Sequence, residues 1–121
     1  MTGPFAIILE DDPRLGKVFE AALQRAGFET ALDANGNNYL EFINSRNPAL
    51  IILDMHLPFA SGQEILAGMR AKPDQAKIPV IIVTADIFLA KSFEAKGEKV
   101  LLKPFTVSRL AEAAAQFLPK S

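Results

Sequence analysis

Ala49-Leu50-Ile51-Ile52-Leu53-Asp54, followed by Met55-His56-Leu57-Pro58, decides how this chain is read. A short unbroken run of Ile and Leu, bounded by turn residues, reads as a strand buried on both faces. It ends in a carboxylate, and Pro58 stops any continuation. Burying a lone carboxylate is costly, so Asp54 is expected where the strand leaves the core. Three other apolar runs end in the same manner. Phe5-Ala6-Ile7-Ile8-Leu9 meets Glu10-Asp11-Asp12, Val80-Ile81-Ile82-Val83 meets Thr84, and Val100-Leu101-Leu102 meets Lys103. If these strands are parallel, acids, a hydroxyl and an ammonium converge around Asp54 at one edge of one sheet.

The segments between the runs read as helices. Asp12 suits an N-cap with Pro13 at the first helical position. Leu15, Val18, Phe19, Ala22, Leu23 and Ala26 then recur at helical spacing, and Gly27 ends the helix. Phe28 to Leu32 is a second strand, Asp33 to Asn38 a polar turn, and a helix runs through Leu40 and Ile43 to Arg46. After Pro58, a helix from Gln63 to Ala71 turns Ile65, Leu66 and Met69 inward. A fourth, Asp86 to Lys96, has Phe88 or Leu89, with Phe93, as anchors. Lys99 to Leu102 is the fifth strand. The last helix presents Val107, Leu110, Ala111, Ala114, Phe117 and Leu118 on its apolar face. Five strands alternating with five helices over short crossovers predict an α/β, doubly wound, five-stranded parallel sheet with helices on both faces. Such sheets place their sites outside the carboxyl ends of the strands, at the switch in strand order.

Composition narrows the functional classes. The chain has 121 residues, 50% of them apolar and 22% charged, enough for one real core. A net charge of −1 gives no global field toward nucleic acid or anionic membrane, so neither direct nucleic-acid binding nor membrane insertion is expected. The absence of cysteine excludes disulfides, thiolate metal sites and a Cys nucleophile. The start of the chain lacks the features of a signal peptide. No run approaches the roughly 18 apolar residues needed to span a bilayer. The expected location is cytoplasmic.

The converging set has a chemistry. Clustered carboxylates raise one another's pKa unless a cation sits among them. Lys103 supplies one charge, and an all-oxygen site suits Mg²⁺. An ionised carboxylate beside a divalent ion and Lys103 can attack a phosphoryl group to give an aspartyl phosphate. Thr84 can donate a hydrogen bond to the phosphate. Other site types fit worse: there is no Gly-rich dinucleotide fingerprint, no Walker-type loop, and only one histidine.

Glu10-Asp11-Asp12-Pro13, Leu53-Asp54-Met55-His56-Leu57-Pro58, Gly62-Gln63-Glu64, Val83-Thr84-Ala85 and Leu102-Lys103-Pro104-Phe105-Thr106 together resemble the receiver (response-regulator) domain of two-component signalling, CheY-like, across essentially the whole chain. The resemblance implies strand order 2-1-3-4-5 and one receiver domain over residues 1–121 with no effector domain in this chain. It implies a phospho-accepting signalling domain and not an enzyme, beyond slow self-dephosphorylation. Asp54 becomes the phospho-acceptor, with Thr84 and Lys103 binding the phosphoryl group. The implied cofactor is Mg²⁺ (or Mn²⁺), held by Glu10, Asp11, Asp54 and the backbone carbonyl of His56, with Asp11 as the direct ligand and Glu10 acting mainly through water. Lys103-Pro104 is implied to be a cis peptide. The implied partners are a sensor histidine kinase or a histidine phosphotransfer protein and an unknown downstream protein, with the chain a monomer or weak dimer.

The chain departs from the family twice. Val100 stands where an aromatic residue is usual, three before the lysine. The stretch from Thr84 to Lys103 is also a few residues short. Both redirect the expected output to the loop from Thr84 to Ala90. Several residues carry a plainer reading. Asp12 reads as a helix cap rather than a ligand, Asp86 equally as a cap, and the His56 side chain as an exposed loop group. Two competing functions remain. One is a receiver-like interaction module acting without phosphorylation. The other is a haloacid-dehalogenase-type hydrolase, whose nucleophile follows the first strand in an Asp-x-Asp motif; here Asp54 follows the third and His56 stands where the second Asp would be.

Overall fold

The computed structural model describes residues 3–119. Its elements alternate without exception: β1 (Phe5–Leu9), α1 (Pro13–Ala26), β2 (Glu29–Asp33), α2 (Tyr39–Arg46), β3 (Leu50–Asp54), α3 (Gly62–Ala71), β4 (Val80–Thr84), α4 (Ile87–Ala95), β5 (Lys99–Leu102) and α5 (Val107–Ala115). All neighbouring strands are parallel, and the sheet order is β2-β1-β3-β4-β5. The chain winds outward from β1 to β2, then returns to lay β3 on the other side of β1. The carboxyl ends of β1 and β3 therefore flank the crevice where strand order reverses.

β1, β3 and β4 are buried along their whole length, which is why they read as continuous apolar runs. Their side chains alternate between two cores. Ile7, Leu9, Ile51, Leu53 and Ile82 pack against Ile43 of α2, Ile65, Leu66 and Met69 of α3, and Phe93 of α4. Ala6, Ile8, Leu50, Ile52, Ile81 and Val83 pack against Phe19, Ala22 and Leu23 of α1 and Leu110, Ala113 and Ala114 of α5. Each fully buried Ile or Leu contributes about 1.5–3 kcal/mol relative to exposure. The central strands are thus the rigid part to which the site is attached.

Helix ends follow the sequence. Asp12 accepts hydrogen bonds from the N–H groups of Arg14 and Leu15, so it is a cap. Asp86 does the same for Phe88 and Leu89. Gly27 closes α1 at φ 116°, in the left-handed region that glycine enters without a Cβ clash.

Several expectations are corrected. β2 lies one residue later than Phe28 to Leu32, because Glu29 N–H bonds to the Pro4 carbonyl and starts the ladder there. Val18, Leu40 and Val107 face solvent, and in α2 Tyr39 and Phe42 pack on the core in place of Leu40. Of the two possible α4 anchors, Leu89 packs inward while Phe88 is 85% exposed. Phe117 and Leu118 pack on the core beyond the end of α5 rather than on the helix itself.

Asp33 is more than the first residue of a polar turn. It ends β2 fully buried, and its two carboxylate oxygens accept N–H bonds from Asn35, Gly36, Asn38 and Tyr39. One side chain thereby gathers four backbone N–H groups of the β2–α2 connection and the start of α2, while the Asn37 N–H goes to Asn35 Oδ1. Asp33→Ala is expected to cost about 3 kcal/mol or more, since hydrogen bonds to a charged group are each worth about 1.5–3 kcal/mol. Asp33→Asn, which keeps one acceptor oxygen, should cost less. Denaturant midpoints of the two variants check this ordering.

Candidate functional site

The site is built from four strand ends. β1 delivers Glu10 and Asp11, β3 Asp54, β4 Thr84 and β5 Lys103. The strand-end loops are tied to the sheet by backbone bonds. Met55 N–H donates to the Val83 carbonyl at 3.0 Å, and Lys103 N–H donates to the Thr84 carbonyl at 2.8 Å. Below the acids, α3 comes so close that a Cβ on Gly62 would lie 2.7 Å from the Met55 Cα and 2.9 Å from the Asp54 carbonyl oxygen. Only glycine fits there, and its fit seats the loop that follows Asp54. The Lys103-Pro104 peptide is cis, as the resemblance implies.

Asp54 is buried with both oxygens engaged. Oδ1 accepts the His56 N–H at 2.9 Å, and Oδ2 accepts from Lys103 Nζ at 3.1 Å. Burial alone pushes the Asp54 pKa up. The His56 N–H, the Glu10 side chain and Lys103 outweigh burial, so the carboxyl sits below its usual range and stays ionised.

Glu10 is the opposite case. It is buried, and burial together with the neighbouring Asp54 carboxylate pushes its pKa up to about 8. Its Oε2 accepts the Asp12 N–H at 3.1 Å, which partly offsets that rise. Its Oε1 is buried and, among the described residues, has no hydrogen-bond partner, lying 3.9 Å from Lys103 Nζ. Two buried carboxyls with divergent pKa values mark a site short of positive charge.

Carboxylate oxygens of Glu10, Asp11 and Asp54 all lie within 4.8 Å of one another. Asp11 is exposed at the rim and Asp12 is occupied as a cap. The donor set is all oxygen, and Glu10 Oε1 lacks a partner, so these residues fit a hard divalent cation.

Thr84 is fully buried, and among the described residues its hydroxyl bonds neither Asp54 nor Lys103. Oγ1 accepts the Asp86 N–H at 3.0 Å and lies 3.1 Å from Nε2 of His56. The His56 side chain is exposed, as expected of a loop group, and its ring nonetheless lies on the strand-end threonine. No pattern within the β3 loop signals this contact, which joins residues 28 apart and exists only because β3 and β4 are neighbours. Val100 is half-buried and packs on the core cluster beneath α4.

Residues 6–115 match the family described as the response regulator receiver domain. The polar-differentiation response regulator DivK of Brucella anthropi is 32% identical over 117 residues, covering 93% of this chain and 94% of the relative. The chemotaxis response regulator CheY4 of Vibrio cholerae has the same fold with a TM-score of 0.82 at 22% identity, covering 97% of this chain and all of that one. The receiver domain of the sensor histidine kinase PA1611 of Pseudomonas aeruginosa, whose structure holds a magnesium ion in its active-site cleft, aligns with a TM-score of 0.80 at 24% identity over 95% of this chain and 97% of that one. The chain belongs to the response-regulator receiver family, the signalling domains of two-component systems.

Proposed function

We propose that this receiver accepts a phosphoryl group on Asp54 in a divalent-metal-dependent reaction and thereby changes what it binds. The observation that carries the reading is the state of Asp54: a buried carboxylate kept ionised by Lys103 and the His56 N–H, at the strand switch point. One carboxylate oxygen of Asp54 attacks phosphorus, and the bond from phosphorus to the donor's leaving atom breaks with its electron pair leaving on that atom. Lys103 is placed to offset the charge that the phosphoryl oxygens bring. Thr84, at the adjacent strand end, has the one hydroxyl proton that can be given to a phosphoryl oxygen.

Glu10, Asp11, Asp54 and the His56 carbonyl would hold Mg²⁺ or Mn²⁺. When bound, such an ion supplies positive charge that stabilises the transferring phosphoryl group. The magnesium reported for the PA1611 receiver supports this choice of ion. Receiver domains work with histidine kinases or phosphotransfer proteins and with downstream targets, and we assign this chain partners of those classes. Exposed Val18 and Val107 help line an apolar cleft of about 220 Å³ beside Lys103.

The Glu10 pKa gives the metal reading a direct test. A carboxylate that ligates a metal ion must be ionised, and one that meets the ion through a water holds it better when ionised. With its pKa at about 8, metal-free Glu10 is mostly protonated at neutral pH. Uptake of Mg²⁺ near pH 7 is therefore expected to release close to one proton, and affinity should rise with pH until Glu10 has ionised. Calorimetry in two buffers of different ionisation enthalpy reads the proton directly. Binding with no proton release, equally tight from pH 6 to 9, contradicts the assignment of Glu10.

A further inference from the structure

The geometry points to His56 as a positioning residue that holds the Thr84 hydroxyl in the unphosphorylated arrangement and so sets how readily the domain switches. This inference rests on the phospho-acceptor reading of Asp54. His56 straps two strand ends together. Its backbone N–H is bonded to Asp54 Oδ1 at 2.9 Å, and its ring Nε2 lies 3.1 Å from Thr84 Oγ1. The ring therefore reaches across the mouth of the site, from the residue that would take the phosphoryl group to the residue that would bind it.

A threonine hydroxyl has one proton to donate and two lone pairs. One lone pair of Thr84 is already filled by the Asp86 N–H at 3.0 Å. Phosphoryl oxygens at Asp54 are acceptors only, so Thr84 can bind them only by donating its proton. The ring nitrogen competes for that proton: with the proton on Nδ1, Nε2 accepts the Thr84 O–H and removes the donor that a phosphoryl group needs. Moving Thr84 to the phosphoryl group breaks this bond and strains the one from Asp86 N–H. Asp86 also caps α4 and carries the chain into exposed Ile87 and Phe88. The latch thus couples the acceptor site to the first turn of α4, which needs no aromatic residue at Val100.

One hydrogen bond of this kind is worth a factor of about two to ten in an equilibrium. His56→Ala and His56→Phe are therefore both expected to bind beryllofluoride with Mg²⁺ about two- to tenfold more tightly than wild type, read by NMR titration. A second measurement uses neither metal nor phosphate. In the metal-free protein, ¹⁵N shifts of the His56 ring should report an acceptor Nε2 with the proton on Nδ1, and Thr84→Val should return the ring to the Nε2–H form. Tighter binding in His56→Ala but not in His56→Phe would show that the ring acts by bulk and would overturn the latch. Equal affinity in all three proteins, or a ring unaffected by Thr84→Val, would overturn it too. No beryllofluoride uptake by wild type, with the ring signature present, would instead sink the acceptor reading, and the switching role would fall with it.

Discussion

Asp54→Asn is expected to abolish phosphoryl uptake from acetyl phosphate in the presence of Mg²⁺. The substitution changes little besides chemistry. Asparagine keeps the shape of the side chain, and its carbonyl oxygen can still accept the His56 N–H that now reaches Oδ1. What it loses is the anionic oxygen paired with Lys103 at 3.1 Å, and with it the negative charge that the proposed attack on phosphorus requires. The carboxyl of wild type is held ionised against its own burial, and an amide has no such state. Circular dichroism should show a folded protein, so loss of labelling reports the site. Labelling of the variant at the wild-type rate would mean that another residue is the acceptor.

Asp11 and Lys103 should part company when each is replaced by alanine. Asp11→Ala removes a carboxylate proposed as a hard anionic ligand at the rim of the acidic cluster, and Mg²⁺ affinity is expected to fall by on the order of tenfold or more. Lys103→Ala removes the fixed cation that lies 3.1 Å from Asp54 and 3.9 Å from Glu10. The acids then repel one another more strongly and hold a divalent ion at least as tightly, while the phosphoryl group loses its partner. Metal titration and beryllofluoride uptake separate the two effects. Loss of metal binding in Lys103→Ala together with normal binding in Asp11→Ala would contradict this layout.

The fold was legible because its strands are buried on both faces. A parallel sheet covered by helices accounts for runs such as Leu50–Leu53 and Val80–Val83, each ending in a polar residue and alternating with helical segments, and the observed strands match them within a residue. The residues of the acidic pocket could be listed from the same rule, since parallel strands bring their carboxyl ends to one edge. Less legible were features set by neighbours distant in sequence. The periodicity of the helices did not separate Leu89 from Phe88, because α4 is apolar on several sides and only packing on the sheet decides which side turns in. Asp33 read as a turn residue because three of its four backbone partners lie in a loop whose path has no sequence period, and the fourth is the first residue of α2. The divergence between Glu10 and Asp54 was invisible for the same reason: two carboxylates at strand ends look alike in sequence, and what distinguishes them is the set of groups the fold brings to Asp54, namely the His56 N–H, the Glu10 side chain and Lys103.

The most direct test of the central claim is mass spectrometry of the wild-type protein after incubation with acetyl phosphate, with and without Mg²⁺, followed by borohydride trapping and peptide mapping. One phosphoryl group, gained only with the metal and mapped to Asp54, is the predicted result. No uptake under either condition, or a group mapped to any other residue, would contradict the account.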